Sequence, residues 1–305
     1  MKVAVIMSTY NGQEFLEQQI DSILAQEGVD VELFIRDDGS SDQTPSILSD
    51  YAARCPQVHA VLEENIGFRQ SFIRELGRHP GFDLYAFSDQ DDLWKPDKLA
   101  RGCQAVSELA YAGRPVLYHS NLQIADRDLN VLGRTHLERR RCSLGSAVMR
   151  RSIAGCTMVF DRRLWLAVFS RPHHPDLFLR GHDSFLVSLC YALGGIVVCG
   201  PEARILYRQH ESNGSGGSPR SFRARLRKEW RNLTEKRGQE ARMAAALLER
   251  WDTEMTPSAR KTLELVAGAG RHWKQRALIA AGSEFSTGDL RLTLAGKARA
   301  LLSLL

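Results

Sequence analysis

Three carboxylates lie within four positions of the chain, at Asp89, Asp91 and Asp92. The apolar residues at 84–87, directly before them, have the pattern of a buried strand. Carboxylates so close together repel one another, and the repulsion is destabilising unless a cation lies among them. A hard divalent cation such as Mg²⁺ or Mn²⁺ binds a few protein carboxylates and keeps other positions open for diphosphate oxygens. Residues 89–92, the acidic turn, therefore predict a metal and diphosphate site, with a solvated surface turn as the alternative.

A second acidic pair, Asp37 and Asp38, follows residues 31–35, in which apolar side chains alternate as they do in a strand. In doubly wound sheets, a carboxylate at the end of the second strand commonly hydrogen-bonds a nucleoside through its ribose or its base. The alternative is an Asx turn that caps the following helix, a role that also suits Asp42 and Thr44. The pair alone is weak support for a nucleotide site.

The first 120 residues alternate between the periodicity of strands and that of helices, and the elements that these patterns predict must position the acids. Helical stripes lie between strand patterns at 3–7, 31–35, 58–62, 84–87 and 116–118. Asn11 is predicted to cap the first helix, Thr44 with Pro45 to begin the second, and Pro96 to open another. The repetition predicts an α/β fold with a mainly parallel, doubly wound sheet flanked by helices. Such sheets bind ligands at the carboxyl ends of their strands, where the polar clusters fall: 8–10, 37–39 and 88–92.

Residues 134–152 are rich in arginine and predict a mobile loop. The patterns beyond this loop predict two strands and a helix, at 155–160, 196–199 and 183–193. Arg204 and Arg208 follow the last strand. A guanidinium suits diphosphate oxygens, but surface salt bridges are the simpler prediction for both residues.

Composition predicts two domains, a catalytic domain at 1–213 and a linker with a basic helical region at 214–305. Residues 218–250 hold ten Lys or Arg against four Glu. Within them, three apolar residues share one helical side with arginines around it: Phe222, Leu226 and Trp230. This helix is predicted either to lie on an anionic membrane surface or to dock on the catalytic domain. No base-reading motif accompanies the charge, so we predict no nucleic-acid partner.

The whole chain has the composition of an ordinary globular protein, with 305 residues, 43% hydrophobic residues and a net charge of +5. The apolar stretch at 1–7 is too short for a signal peptide, and no window approaches the roughly eighteen apolar residues of a membrane span. The six cysteines are scattered and predict reduced thiols. We therefore expect a cytoplasmic protein, with peripheral contact at the inner face of the cytoplasmic membrane.

Taken together, the polar segments have a specific spacing. They are Ser8-Thr9-Tyr10-Asn11-Gly12, Asp37-Asp38-Gly39-Ser40-Ser41-Asp42, and the acidic turn followed by Pro96. This set resembles the inverting glycosyltransferases of family 2, which have the GT-A fold. The later segments 155–158, 182–183 and 207–213 resemble the rhamnosyltransferase-like members of that family. The likeness covers roughly residues 2–213.

The resemblance implies a role for each matching position. Residues that would hold the nucleoside or lie beside it are Ser8, Thr9, Tyr10, Asp37 and Asp38. Asn65 and Gly67 belong to a turn that lies near the donor in similar enzymes. Asp91 would be the direct metal ligand and Asp89 would lie nearer the ribose or diphosphate, with Asp92 as a substitute. His210 would complete the metal shell, or else it is a hydrogen-bonded loop histidine.

Glycosyl transfer with inversion needs one base to take the proton of the attacking acceptor hydroxyl. A metal ion, rather than a general acid, stabilises the leaving diphosphate. The resemblance places the base at Asp183, at the start of a predicted helix. The alternative is a residue that the helix macrodipole favours at an N-terminus.

The resemblance implies a metal-dependent enzyme that moves a sugar from a dTDP- or UDP-sugar to a saccharide or lipid-linked saccharide acceptor. The implied sugar is L-rhamnose from dTDP-rhamnose, in bacterial cell-surface polysaccharide such as O-antigen or capsule. One alternative is a sugar-phosphate nucleotidyltransferase, whose usual lysine-rich N-terminal loop is missing at 8–12. Another is a non-catalytic carbohydrate- or lipid-binding protein, which has no need of all three of Asp89, Asp91 and Asp183.

Overall fold

The computed structural model describes residues 1–149, 153–210 and 237–304. These residues form two compact units. The first unit comprises 1–138, 153–171 and 195–208, and the second comprises 139–149, 172–194, 209–210 and 237–304. Three segments that precede residue 213 thus belong to the second unit: 139–149, 172–194 and 209–210. The predicted boundary at 213 and the predicted linker that follows it lie outside the described residues, so both stay predictions.

The first unit is built on one mixed sheet, which has nine strands in the described part of the chain. They are β1 (Lys2–Thr9), β2 (Asp30–Asp38), β3 (Val58–Glu63), β4 (Leu84–Ser88), β5 (Leu93–Trp94), β6 (Val116–Ala125), β7 (Val131–Arg134), β8 (Val159–Asp161) and β9 (Ile196–Arg208). Their spatial order is β3-β2-β1-β4-β8-β6-β9-β5, with β7 paired to β6.

The described helices are α1 (Leu16–Leu24), α2 (Thr44–Arg54), α3 (Phe68–Gly77), α4 (Lys98–Leu109), α5 (Leu144–Met149), α6 (Arg162–Phe169), α7 (His182–Ala192), α8 (Gln239–Trp251), α9 (Pro257–Gly268), α10 (Trp273–Ala281) and α11 (Leu290–Leu301). Helices α1–α4 and α6 belong to the first unit, and the others to the second. Within these residues, no helix combines the length and the apolar composition that a membrane-spanning segment needs.

The predicted parallel arrangement is confirmed for β3, β2, β1 and β4, which pair parallel throughout. Beyond β4 the sheet is mixed, because β8 runs antiparallel to both β4 and β6. A short 3-10 helix, Gly155–Thr157, precedes β8 and lies beside the acidic turn. The chain therefore enters β8 at the carboxyl edge of β4 and runs back along it.

Helices cover both faces of the sheet, which explains the continuous apolar run in β1. Val3 and Val5 belong to a buried cluster that includes Ile20 of α1. On the other face, Tyr85 of β4 stacks on Trp165 of α6, with 6.0 Å between ring centroids. A strand buried on both sides needs apolar residues at every position.

Two local expectations were wrong. Asn11 does not cap α1, which begins at Leu16; instead the Asn11 side chain accepts a hydrogen bond from Ser41 N at 2.9 Å. The segment 134–152 is not simply a loop, since α5 lies within it and its side chains are buried. Gly145 permits this burial, because a Cβ there would lie 2.4 Å from the Glu284 carbonyl oxygen. The prediction of a helical C-terminal region is confirmed for α8–α11.

Candidate functional site

The predicted polar clusters meet at one edge of the sheet. Strands β1 and β2 are in register to their ends, with Thr9 opposite Asp37, and Met7 of β1 lies opposite Ser88 of β4. The buried Thr9 hydroxyl donates a hydrogen bond to Asp37 Oδ1 at 2.9 Å. The carboxyl ends of β1, β2 and β4 therefore form one edge, as the strand patterns predicted.

Asp37 connects the loops that follow β1 and β2. Its buried carboxylate accepts hydrogen bonds from Thr9, from Ser40 N at 2.8 Å and from the Ser40 hydroxyl. The Ser40 hydroxyl in turn accepts from Asn11 N at 2.8 Å. The alternative of an Asx-type turn thus describes part of what Asp37 does. Its contact with a nucleoside stays a prediction.

Asp38 is held by a buried arginine that sequence reasoning missed. Arg36 is fully buried, pairs with Asp38 and Glu63, and donates to the Glu64 carbonyl oxygen at 2.7 Å. Asp38 also accepts from the backbone N–H groups of Ile66 and Gly67, each at 2.9 Å. Asp38 therefore fixes the loop after β3. Asp38 Oδ1 accepts from Arg36 and Ile66 N, whereas Oδ2 accepts from Gly67 N and can accept another hydrogen bond, so the predicted nucleoside contact remains open.

Three other predicted donor residues lie around this edge. Ser8 hydrogen-bonds Ser71 with 2.6 Å between the two hydroxyl oxygens. Tyr10 is 52% exposed, so its ring is accessible. Asn65 accepts from Gly67 N at 3.1 Å within the loop that Asp38 anchors. Gly67 has a φ of 84°, which glycine adopts without strain. The predicted contacts of these residues with a donor stay predictions.

Replacing Arg36 with methionine tests the anchoring network. The change leaves the buried Asp38 without its cation, and breaking a buried pair costs about 3–5 kcal/mol. We expect the midpoint of thermal unfolding to fall by several degrees. The control is Arg74→Met, because Arg74 is 54% exposed and pairs with the same Glu63 at 3.5 Å; exposed pairs contribute about 1 kcal/mol or less. Equal midpoints for the two variants would contradict the anchoring role.

The acidic turn is fastened to the loop after β1 by a glutamine that sequence reasoning also missed. Tyr10 N donates to Gln90 Oε1 at 2.8 Å, and Gln90 Nε2 donates to the Tyr10 carbonyl oxygen at 3.2 Å. Gly12 makes room for this side chain, since a Cβ there would lie 2.5 Å from Gln90 Oε1. Asp89 and Asp91 are half-buried and Asp92 is fully buried. The turn is therefore not a solvated surface turn.

Arg208, at the end of β9, hydrogen-bonds two residues of the acidic turn. Its backbone N–H donates to Asp92 Oδ1 at 3.2 Å, and its Nε donates to the Asp91 carbonyl oxygen at 2.9 Å. The guanidinium is 4.3 Å from the centre of the Phe15 ring. Arg208 is only 3% exposed, so the prediction of a surface salt bridge was wrong for it. Strand β9 is longer than predicted and extends to Arg208, which places this residue against the acidic turn. Arg204 forms the expected surface ion pairs with Asp97 and Glu202.

Buried groups surround Asp92. Asp89, Asp92 and Cys156 offer oxygen and sulfur atoms within 4.8 Å of one another. Burial, with the charges of Asp89 and Asp91, raises the pKa of Asp92 well above its ordinary value. Burial likewise raises the pKa of the Cys156 thiol, with Asp92 adding to it. Lys98 lies against the Trp94 ring, and burial lowers its pKa to about 7.

These properties decide which residues fit a metal ion. Burial first, and then the charges of Asp89 and Asp91, raise the pKa of Asp92, and a bound cation would offset the repulsion among the three acids. Carboxylate oxygens suit Mg²⁺ or Mn²⁺, and Asp89 and Asp91 are the more accessible of the three acids. The soft sulfur of Cys156 suits ions such as Zn²⁺ or Cu⁺ rather than a hard cation, so Cys156 does not fit. The donor set agrees with the predicted hard cation, and its ligands stay a prediction.

Asp183 lies in the second unit, in the first turn of α7. Ser184 N donates to Asp183 Oδ1 at 2.6 Å. Gly181, with a φ of 114°, accommodates the carboxylate, because a Cβ there would lie 2.4 Å from Asp183 Oδ1. Burial raises the pKa of Asp183 to about 6, against the lowering effects of the Ser184 N–H and the Arg180 charge. A half-buried carboxylate with a pKa near neutrality has the properties of a general base.

His210 also belongs to the second unit, two residues after the end of β9, and is half-buried. Its role in a metal shell stays a prediction.

The fold and this edge of the sheet define a class of protein, and comparisons with known proteins agree with it. TarS of S. aureus, solved in complex with UDP, matches with a TM-score of 0.58 at 14% identity, covering 99% of this chain and 81% of that one. The fold is therefore the GT-A fold. Residues 4–156 match the family described as Glycosyl transferase family 2. The chain belongs to this family of transferases.

Two curated relatives illustrate the family. The dTDP-rhamnosyl transferase RfbG of Shigella flexneri is 27% identical over 237 residues, which cover 73% of this chain and 77% of the relative. The succinoglycan biosynthesis protein ExoO of Rhizobium meliloti is 29% identical over 224 residues, covering 69% of this chain and 62% of the relative. An uncharacterized glycosyltransferase of Nostoc matches over 66% of its own length. The matched part of the chain thus spans between 62% and 77% of these relatives.

Proposed function

We propose that the protein is an inverting, metal-dependent glycosyltransferase that acts in the biosynthesis of a bacterial cell-surface polysaccharide. The observation that carries this proposal is the edge of the sheet at which Thr9, Asp37 and the half-buried carboxylates of the acidic turn meet. A fixed set of acids beside the end of the second strand suits a nucleoside diphosphate and its cation. Membership of family 2 supports the transfer of a sugar.

The relatives favour a pyrimidine nucleotide donor. RfbG is named a dTDP-rhamnosyl transferase, and TarS was solved with UDP and with UDP-GlcNAc. We therefore propose a dTDP- or UDP-sugar, with dTDP-rhamnose as the first donor to test. ExoO is named for succinoglycan biosynthesis, which supports a saccharide or lipid-linked saccharide as acceptor.

In the proposed reaction, the Asp183 carboxylate takes the proton of the acceptor hydroxyl as its oxygen bonds to the sugar carbon. The bond from that carbon to the diphosphate breaks on the opposite face, which inverts the configuration, and the nucleoside diphosphate leaves. A bound Mg²⁺ or Mn²⁺ supplies positive charge that stabilises the leaving diphosphate. Asp89 and Asp91, with His210, would hold the cation. Asp37 and Asp38 keep in place the loops after β1, β2 and β3, which would bind the nucleoside.

A panel of nucleotide sugars and Mn²⁺ tests this proposal through thermal stabilisation, since a ligand that binds only the folded state raises its melting temperature. We expect dTDP-rhamnose to stabilise the protein much more with Mn²⁺ than without it, and the complex with Mn²⁺ to hydrolyse its donor slowly. Stabilisation by a nucleoside triphosphate instead would indicate a nucleotidyltransferase. Donor binding without hydrolysis or transfer would indicate a binding protein.

We also propose that the second unit contacts an anionic membrane surface at the cytoplasmic face, where a lipid-linked acceptor would lie. Along α11, Leu290 is 75% exposed and Leu294 is 59% exposed, one turn apart on the same side. Trp273, at the start of α10, is 67% exposed. Arg291 and Lys297 flank the α11 leucines, and exposed apolar residues bordered by cations favour anionic membranes. The predicted basic helix around 220–231 lies outside the described residues.

The double variant Leu290→Gln/Leu294→Gln tests this contact. Burying one leucine side chain contributes about 1.5–3 kcal/mol, so we expect vesicle affinity to fall by about tenfold or more in sedimentation with phosphatidylglycerol vesicles. The control is Leu166→Gln, because Leu166 is an exposed leucine of the first unit, at 50%. Unchanged sedimentation of the double variant would exclude α11 as the contact.

A further inference from the structure

Gln90 lies between Asp89 and Asp91 in the acidic turn, and its side chain reaches across to the loop after β1. The terminal amide bonds twice to one residue: Tyr10 N donates to Gln90 Oε1 at 2.8 Å, and Gln90 Nε2 donates to the Tyr10 carbonyl oxygen at 3.2 Å. A backbone N–H only donates and a carbonyl oxygen only accepts, so these partners fix the orientation of the amide. The two hydrogen bonds, the Gln90 clasp, therefore join the backbone between the two acids to Tyr10.

Gly12 provides the space that the clasp needs. Among the described residues, the three atoms nearest to a Cβ at this position would all belong to Gln90: Oε1 at 2.5 Å, Cδ at 2.6 Å and Nε2 at 3.0 Å. These distances are shorter than van der Waals contact, which is about 3.5–4.0 Å between carbon atoms. The backbone of Gly12 is itself held, because its N–H donates to Thr44 Oγ1 at 2.9 Å and its carbonyl oxygen accepts from Leu16 N at 3.2 Å. The Gln90 amide thus occupies the place of a side chain at position 12.

The loop after β1 continues the connection to the end of β2. Asn11, the residue after Tyr10, has a left-handed φ of 47°, which asparagine adopts more readily than most residues. Asn11 N donates to Ser40 Oγ at 2.8 Å, and the Asn11 side chain accepts from Ser41 N at 2.9 Å. Ser40 N donates to Asp37 Oδ2 at 2.8 Å. The clasp is therefore one step in a series of hydrogen bonds from the acidic turn to a predicted nucleoside residue.

We propose that Gln90 is a positioning residue that couples the nucleoside half of the site to its cation half. A nucleoside that orders the loop after β1 also holds the turn between Asp89 and Asp91 through the clasp. The second ligand then meets a loop that is already ordered, so less conformational entropy is lost when it binds. The inference rests on the proposed function, because it needs a nucleoside and a divalent cation at this edge of the sheet. Such coupling is reciprocal between the two ligands.

Thymidine and Mn²⁺ test the coupling without turnover. Thymidine has no phosphate that could bind the cation directly, so its effect on Mn²⁺ affinity is transmitted through the protein. The electron paramagnetic resonance signal of free Mn²⁺ measures this affinity with and without thymidine, and uridine is the second probe. Coupling between two ligands typically amounts to about 5–150-fold in affinity. We expect about fivefold or more in the wild type, and a factor within about twofold of unity in Gln90→Ala.

Gly12→Ala reaches the same clasp from the other side. Its Cβ should displace the Gln90 amide and reduce the coupling as Gln90→Ala does. The displaced atoms are the far end of a flexible side chain, so the midpoint of thermal unfolding should change little. In the double variant Gly12→Ala/Gln90→Ala, the alanine at position 90 lacks the atoms that the new Cβ would meet. The double variant should therefore match Gln90→Ala in both coupling and midpoint, a non-additive result expected of residues in contact.

Two matched controls lie in the same unit. Gln104→Ala removes an exposed glutamine whose side chain donates to Glu108 at 2.9 Å. Gly133→Ala adds a Cβ that would have no atom of the described residues within 4 Å. Both variants should keep the wild-type coupling, which separates the clasp from the general effect of losing a glutamine or a glycine.

The inference is overturned if neither nucleoside changes the Mn²⁺ affinity of the wild type, or if either Gln90→Ala or Gly12→Ala keeps the wild-type coupling. Failure of the proposed function has a different signature, because the wild type would then bind neither Mn²⁺ nor dTDP nor UDP. Binding of Mn²⁺ and a nucleoside diphosphate, with coupling that Gln90→Ala leaves unchanged, would remove the role of Gln90 alone.

Discussion

Asp183→Asn is expected to lower kcat by about 10²–10⁴-fold, the usual contribution of a general base, while donor affinity stays within about twofold. Asparagine has nearly the same shape and keeps an oxygen that can accept the Ser184 N–H, which Asp183 Oδ1 accepts at 2.6 Å. It cannot take a proton from the acceptor hydroxyl. The loss should therefore appear in turnover and not in binding.

Steady-state kinetics and calorimetric titration of the donor measure the two quantities separately. The matched control is Asp176→Asn, because Asp176 belongs to the same unit and pairs with an exposed arginine, Arg242. We expect this control to keep kcat within about threefold, since exposed ion pairs contribute little. Near-normal turnover of Asp183→Asn would exclude it as the base.

The pKa of Asp183 also predicts how pH acts on the wild-type protein. A base must be ionised, so kcat should fall as the pH drops through about 6. The effect on stability has the opposite sense. The folded-state pKa lies above the ordinary value of 3.8, so the stability that protonation contributes is present below pH 3.8 and is lost as the pH rises through about 6. Asp183→Asn should therefore melt at a higher temperature than the wild type at neutral pH, as is common when a catalytic group is removed.

The sequence was informative where local pattern decides structure. Apolar runs before Ser8, Asp37 and Asp89 predicted strand ends, and these ends do meet at one edge of the sheet. The strand period fixes where a strand stops and which residues follow it. The parallel arrangement of β1, β2 and β4 then brings those residues together without further information.

Contacts between distant segments were not predictable in this way. Arg36 and Arg208 resemble ordinary surface arginines in the sequence, yet each is buried and fixes an acidic loop. Gln90 lies between acids and was passed over, although it joins the acidic turn to Tyr10. A weak signal existed for Arg36, because a cation directly before two aspartates at a strand end has a partner close by. For Arg208 the partners in the acidic turn are 116 and 117 residues away, and only the pairing of β9 with β5 and β6 reveals them.

The different roles of the three acids could not be predicted from the sequence either, because the pattern does not show which of several adjacent acids is buried and which is exposed. Asp92 is fully buried and accepts the Arg208 N–H, whereas Asp89 and Asp91 are half-buried. The acidic turn leads directly into β5, a two-residue strand that pairs with β9 and that the sequence pattern did not predict. Because the acids differ in burial, we expect their substitutions to affect metal-dependent donor binding differently.

Asp91→Asn is expected to abolish the effect of Mn²⁺ on donor affinity, with a loss of about 100-fold or more in the presence of the metal. Removing even an outer-shell partner of a metal costs about 10–100-fold in affinity, and a direct carboxylate ligand contributes more because it also supplies charge. Calorimetric titration of the nucleotide sugar with and without Mn²⁺ measures this difference. The affinity for the nucleotide sugar without metal should be unchanged, since Asp37 and Asp38 fix the loops after β2 and β3 that would bind the nucleoside.

Asp92→Asn is the matched comparison for that experiment, because it makes the same chemical change, carboxylate to amide, at the neighbouring acid. Asp92 is fully buried and its Oδ1 accepts the Arg208 N–H, whereas Asp91 is only half-buried and more accessible to an ion. The amide oxygen can still accept the Arg208 N–H. We therefore expect Asp92→Asn to keep most of the Mn²⁺ dependence that Asp91→Asn loses. The reverse result, with Asp92→Asn losing the metal effect and Asp91→Asn keeping it, would move the cation to the buried side of the turn, beside Cys156.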